Sequence, residues 1–228
     1  MAHLIAQLPR FLTWNNAVFL LQAAGMTLAL SAVGSVLGLA LGGGIAVLRR
    51  TRGRVLAPVR FVAVLYVELF RRVPFLVTLF LVFYATQLCG FDAPLLVIGA
   101  IAVSLISTAY LAEIVRGGLN AVHPNQWDSA AVANFSFWQT LRLVVIPQAW
   151  TVVLPPAFGF FIMFLKDTAL ASQIGVVELT YAGKALNNRG FAPELTFGAV
   201  LLLYFALSYP LTLLGRRLEA QLARPRHR

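Results

Sequence analysis

The chain has 228 residues, of which 60% are hydrophobic and 11% charged, and its mean hydropathy is +0.82. That composition is that of an integral membrane protein and excludes a water-soluble domain. The formal charge of +10 does not indicate nucleic-acid binding, because the 18 Lys and Arg fall in the gaps between apolar runs, where they act as topology signals.

The first apolar segment runs uncharged over 17–48, longer than the ~20 residues needed to cross a ~30 Å hydrocarbon core. Tilt or an interfacial start takes up the excess, and the length argues against a cleaved signal peptide. Gly34, Gly38 and Gly42 fall four apart on one helix face; small residues so spaced admit a close neighbour, although glycine is also simply common in membrane helices. The basic run Arg49–Arg54 places the end of this span in the cytoplasm and the N-terminus outside. Residues 55–70 are apolar but close on Glu68, Arg71 and Arg72 before Pro74. A break near Arg71–Pro74 therefore separates a short cytoplasmic-side helix, with Glu68 and Arg72 paired four apart, from a second span over 73–88. A turn over 89–94 leads to a third span over 93–112, and Glu113 and Arg116 mark the return to the cytoplasm as structural residues.

A polar island, His123–Ala149, follows. Asn125 with Asp128 reads as one helix start and Ser136 with Gln139 as a second, in capping-box form. Between them Asn134 suits the left-handed conformation that a sharp reversal needs, and Pro147 bends or stops the second helix. Such a pair outside a bilayer is either a docking device or a lipid-interface helix. A fourth span covers 150–165, kinked at Pro155 and Pro156. Residues 166–194 are too polar for an ordinary span and too apolar for an ordinary loop. The last span covers 195–215, and Arg216, Arg217, Arg224, Arg226 and Arg228 place the C-terminus inside.

No chemistry of its own is visible. Gly175–Lys184 does not make a phosphate-binding loop, because its glycines are too far apart and Ala185 stands where a magnesium-binding hydroxyl is needed. The span cores contain neither carboxylate nor histidine for proteolysis. Cys89 is the one cysteine, and His3, His123 and His227 are scattered, so no metal site is expected. What remains is a membrane pathway without an energy source and with a large polar element on the cytoplasmic face.

The polar island resembles the coupling loop of the permease subunits of bacterial ATP-binding-cassette importers, with Asp128, Ser129 and Ala130, then Asn134, then Ile146 and Pro147 in the signature positions. Asp128 keeps the signature's charge on a shorter arm, and Asn134 stands where the family has glycine. Glu68–Phe80, Ala109–Val122, Gln139–Ala149 and Lys166–Gly183 are similar to the branch that moves polar amino acids such as histidine, arginine, glutamate and glutamine. The similarity extends over about 21–214. Where that branch has arginine then glycine before the proline, this chain has Arg71, Arg72 and Val73.

The resemblance implies an all-α integral membrane protein of about five transmembrane helices forming one permease domain over 1–228, with a coupling loop at about 116–147. It implies a multi-pass protein of the bacterial inner membrane that pairs with a second permease, identical or related. Two ATPase subunits would dock on the loop, and a substrate-binding protein would deliver a small polar amino acid from the periplasmic side. ATP and magnesium would bind on those partner subunits, with no cofactor on this chain. The coupling helix is expected at about 126–133, with Gln126, Trp127, Asp128, Ser129, Ala130, Asn134 and Phe135 facing the ATPase; Trp127 and Phe135 would be buried anchors and Asp128 an ion-pair partner. Trp127 and Trp138 at the lipid interface is the alternative. Thr78, Ser104, Ser107, Lys166, Asp167 and Thr168 are the candidate substrate path; alternatively, Lys166 and Asp167 only shape a loop at the outer interface. The alternative function is a secondary transporter or channel with no ATPase partner.

Overall fold

The computed structural model describes residues 2–51 and 53–222, which hold no β-strand. Arg52, Arg224, Arg226, His227 and Arg228 lie outside the described residues. In chain order the helices are α1 (Ala2–Phe11), α2 (Trp14–Leu48), α3 (Ala57–Arg72), α4 (Phe75–Leu88), α5 (Leu95–Ala121), α6 (Pro124–Val132), α7 (Phe137–Thr140), α8 (Ile146–Asp167), α9 (Leu179–Asn188) and α10 (Pro193–Leu222). A π-helix over Leu141–Val145 joins α7 to α8, and a 3-10 helix over Thr168–Ile174 follows α8. Among the described residues four stretches are long and apolar enough to cross a membrane, namely α2, α5, the continuous run Phe137–Ile174, and α10; α4 is a shorter apolar helix.

The break expected at Arg71–Pro74 is present between α3 and α4, and Arg72 donates to Glu68 Oε2 at 2.7 Å across one turn. That hydrogen bond to Arg72 holds the Glu68 carboxyl below the usual carboxylate range. Beyond the expected span the third helix continues past Glu113 and Arg116 to Ala121, and their charges pair with each other and with Arg49. Pro147 does not stop the helix that begins at Phe137. The wide π turn just before it already breaks the regular ladder, and Gln148 Nε2 donates to Val144 O at 2.8 Å in the following turn. α1 and α9 lie in stretches where no helix was expected.

By packing, the chain forms two compact units. One takes in the chain up to Gly34, Val73–Ser104 and Phe161–Leu213; the other takes in Ser35–Arg72, Leu105–Phe160 and the chain from Leu214.

In the first unit, Phe11, Leu20, Ala23 and Ala24 pack against Leu179, Ala182, Leu186 and Val200. α1 is held by Gln7, whose Oε1 accepts from Ala192 N at 2.8 Å and whose Nε2 donates to Gly190 O at 3.3 Å. The fully buried Glu178 caps α9. Its Oε1 accepts from Tyr181 N at 2.8 Å, and its Oε2 accepts from Thr180 N at 3.0 Å and the Tyr204 hydroxyl at 2.9 Å. Thr27 Oγ1 stands 3.5 Å from the same oxygen and accepts from Leu179 N at 3.0 Å. Within α2, Thr27 also lies 3.1 Å from Ala23 O, and Ser31 donates to Thr27 O at 2.8 Å.

In the second unit, α2 lies directly on α5. A Cβ on Gly42 would stand 2.6 Å from Ala112 N and 2.7 Å from Thr108 O, and one on Gly38 would stand 2.6 Å from Ser107 Cβ. The small-residue face expected on α2 is therefore a helix contact at Gly38 and Gly42, where any side chain would meet a neighbour that cannot turn aside. Gly42→Val is expected to lower the thermal unfolding midpoint in detergent, at the upper end of the about 1–3 kcal/mol cost of overpacking. Gly44→Val, with nothing within 4 Å of its Cβ, is the control and should change little. Equal midpoints for the two variants would contradict the contact.

Candidate functional site

The loop that follows α5 is built almost wholly by local chemistry. His123 rather than Asn125 caps α6: its Nδ1 accepts from Asn125 N at 3.2 Å, and Pro124 occupies the first helical position, where a missing N–H costs nothing. At the other end Asn134 has φ 58°, the one positive φ outside glycine among the described residues. Phe135 N donates to Ala130 O at 3.0 Å and Asn134 N to Ala131 O at 3.0 Å, the two bonds of a Schellman ending. Two residues later Ser136 and Gln139 form the reciprocal capping box, with Ser136 N donating to Gln139 Oε1 at 2.8 Å and Gln139 N to Ser136 Oγ at 3.4 Å. Three consecutive caps leave the reversal little freedom, which makes it stiff without a large core of its own.

A second set of contacts fixes this loop to the long helices of its unit. Leu119, Val122, Leu141, Val145 and Ala149 form a core with Ala46, and Trp127 and Phe137 pack against it. The Trp127 ring lies under the Arg50 guanidinium, 4.6 Å from its centroid, and is stacked 6.4 Å from Phe137. Gln148 Nε2 donates to Gln126 Oε1 at 3.2 Å. Of the seven residues singled out from sequence, Trp127 is half-buried and Ala130 buried, so both hold α6 from beneath. Gln126, Asp128, Ser129, Asn134 and Phe135 are exposed. Asp128 makes no ion pair among the described residues, and with Arg50, Trp127 and Phe137 it lines a cleft of ≈ 730 Å³.

A charge cluster missed by sequence reasoning lies in the same unit. The Glu113 carboxylate receives Arg49 at 3.2 Å, Arg71 at 4.0 Å, and Arg116 through its Nε at 2.9 Å and its Nη2. Tyr110 donates its hydroxyl to Arg71 O at 3.2 Å, with the Arg71 guanidinium 5.8 Å from its ring centroid. One carboxylate thus joins α2, α3 and α5. The signal available in sequence was the pair Glu113 and Arg116, three apart; the two partners from other helices had none.

The candidate path residues divide between the units. In the first, Thr78 is buried and its hydroxyl has no hydrogen-bond partner among the described residues, nor has that of Ser104. Thr168 is committed: its hydroxyl donates to Leu165 O at 2.8 Å and lies 3.3 Å from Ser31 Oγ. Lys166 is exposed and Asp167 half-buried. In the second unit Ser107 is fully buried, also without a partner for its hydroxyl. No group of three His, Cys, Asp or Glu side chains suited to a metal ion occurs among the described residues.

An all-helical membrane protein that gathers its polar surface into one stiffened loop, with buried hydroxyls instead of a catalytic cluster, has the build of a transporter's membrane component. The chain belongs to the family of binding-protein-dependent transport system inner membrane components, whose model matches residues 34–224. It is similar to the probable amino-acid ABC transporter permease YckA of Bacillus subtilis, 32% identical over 83% of this chain and 82% of that one. It is also similar to the glutamine transport system permease GlnP of Escherichia coli, 31% identical over 92% and 95%. The structure matches that of an amino acid ABC transporter crystallised with histidines, with a TM-score of 0.81 at 28% identity over 90% of this chain and 94% of that one. The fold alone is shared with the MetNI methionine ABC transporter, at a TM-score of 0.77 and 21% identity, covering 93% of this chain and 100% of that one. The chain is therefore a permease subunit of an ABC importer, a multi-pass inner-membrane protein that works with ATPase and binding-protein partners. The relatives and the structural matches support this reading and not a secondary transporter without an ATPase.

Proposed function

We propose that this permease moves a small polar amino acid inward, as one of a pair of identical or related permease chains. Two ATPase subunits dock on the α6 loop and carry the ATP and magnesium; a binding protein delivers the substrate to the opposite side. The N-terminus is periplasmic and the C-terminus cytoplasmic, a reading supported by the basic run at the end of α2 and by Arg216 and Arg217 near the end of α10. The observation that carries the proposal is the capped reversal of α6, Asn134 and α7, fixed to the ends of α2, α5 and α8: a lever needs stiffness and attachment, and both are present. Gln126, Asp128, Ser129 and Phe135 form its outward face, and Trp127 and Ala130 hold it in place. The path candidates are, in the first unit, the unpartnered hydroxyls of Thr78 and Ser104 and the adjacent charges of Lys166 and Asp167, with Thr168 positioning the turn, and in the second unit the unpartnered hydroxyl of Ser107; a zwitterion requires such mixed polarity.

The test is reconstitution in proteoliposomes with the ATPase and partner permease, measuring uptake of labelled polar amino acids. Uptake of one of them should require both ATP and binding protein. Uptake that follows an ion gradient without ATP would overturn the proposal.

A further inference from the structure

Beside the charge cluster, three helices converge on a basic cleft on which the proposed function does not draw. From the end of α2 come Arg49 and Arg50, with Ala46 one turn earlier leaving room; from α3 comes Arg60; from α5 comes Arg116. The spacing places these side chains on shared faces, since residues three or four apart are neighbours on a helix. The cleft measures ≈ 740 Å³. Four guanidiniums line it, and the one carboxylate paired with any of them among the described residues is Glu113, which takes Arg49 and Arg116. Arg50 donates to Asn120 Oδ1, and Arg60 donates to Thr51 O at 2.9 Å. Both are neutral acceptors, so each of these guanidiniums keeps its full charge and donors to spare.

The remaining wall is apolar. Phe61 and Val64, one turn apart on α3, line the cleft and are exposed at 69% and 37%. They belong to a helix that also exposes Val59, Val62, Leu65 and Leu69. An occupant that satisfies both walls is amphipathic, with an anion at the arginine end and hydrocarbon along α3. A free phosphate or an acidic peptide would leave Phe61 uncovered. Basic pockets between membrane helices bind anionic headgroups in this manner, and the planar fork of arginine matches phosphate oxygens two at a time.

We infer that the cleft between the end of α2, the start of α3 and the end of α5 binds the phosphate of an anionic phospholipid, with the acyl chains laid along Phe61 and Val64. Occupied, it ties the basic loop after α2 to the bilayer, on the face of the unit that carries the α6 lever.

The experiment uses the full chain purified in mild detergent and native mass spectrometry of lipid retained from an equal mixture of phosphatidylglycerol and phosphatidylcholine. Phosphatidylglycerol should be retained in preference. Arg60→Gln should weaken its retention about fivefold, the worth of one arginine at an anionic surface. Arg60→Lys should keep most of it, which separates loss of charge from loss of fold, and Arg10→Gln on α1 should change nothing. Equal retention of the two lipids, or an Arg60→Gln variant that binds like the parent, overturns the proposal. Displacement of the lipid by millimolar inorganic phosphate would show a free-anion site instead and overturns it too. Because no ATPase is present, failure here leaves the uptake experiment untouched, and failure of that experiment leaves this one standing.

Discussion

Glu178→Ala is expected to leave little folded protein. The carboxylate has no exposure to solvent, and its loss abandons two backbone N–H groups at the start of α9 and leaves the Tyr204 hydroxyl with Thr180 Oγ1 alone. Each of the two N–H groups left without a partner costs about 1 kcal/mol or more, so the change removes roughly 2 kcal/mol or more from a total that is ordinarily about 5–15 kcal/mol. Glu178→Gln retains the shape but turns an amide NH2 toward a backbone N–H whichever way it is placed, so it should fall between the two. The measurement is the fraction of monodisperse protein after detergent extraction, together with its unfolding midpoint. Glu194→Ala, at an exposed position in the first turn of α10, should cost less than about 1 kcal/mol. A Glu178→Ala protein as stable as the Glu194→Ala protein would show that the carboxylate does not hold α9 and α10 together.

The second large effect is expected on transport, not on folding. Asp128 is exposed and makes no ion pair within the described chain, so Asp128→Lys should insert and fold normally. If Asp128 meets a basic residue of the ATPase, reversing its charge exchanges an attraction for a repulsion, and ATP-dependent uptake should fall by about tenfold or more. ATP hydrolysis by the assembled complex should persist, no longer tied to uptake. Trp127→Ala acts differently. It removes the ring that Arg50 and Phe137 pack against, so α6 should loosen while its outward face stays chemically intact; uptake should again fall with insertion preserved. Normal uptake in both variants would remove α6 from the coupling pathway.

What could be read in the sequence was whatever depends on neighbours a few residues away. The Ser136–Gln139 box, the reversal at Asn134, the break at Arg71–Pro74 and the Glu68–Arg72 pair are set by contacts between residues no more than five apart, and each is present. What the sequence does not carry arises where distant partners decide. The partners of Glu113 beyond its own helix are Arg49, just after α2, and Arg71 of α3, and neither is foretold by local spacing. The contacts of Trp127 with Arg50 and Phe137, neither adjacent in sequence, have no local signature. Glu178 was passed over because glutamate is an uncommon helix cap, and its partners Thr27 and Tyr204 come from the first and last long helices. α1 gave too short a pattern to distinguish from a polar leader, although its pairing with Gly190 and Ala192 holds it firmly.

The bond network around Glu178 also bears on how the chain is made. Thr27 and Glu178 are separated by 151 residues, so α2 enters the membrane well before its buried partner has been synthesised. A helix waiting alone in hydrocarbon must leave no polar group open. At Thr27 and Ser31 α2 meets that condition by itself, because Thr27 can turn its hydroxyl back to Ala23 O and Ser31 bonds to Thr27 O. The same Thr27 oxygen later accepts from Leu179 N without giving up that bond. Insertion and assembly thus draw on one hydroxyl in succession, so that at Thr27 the nascent chain holds no unsatisfied donor in lipid while the remainder of the protein is being translated.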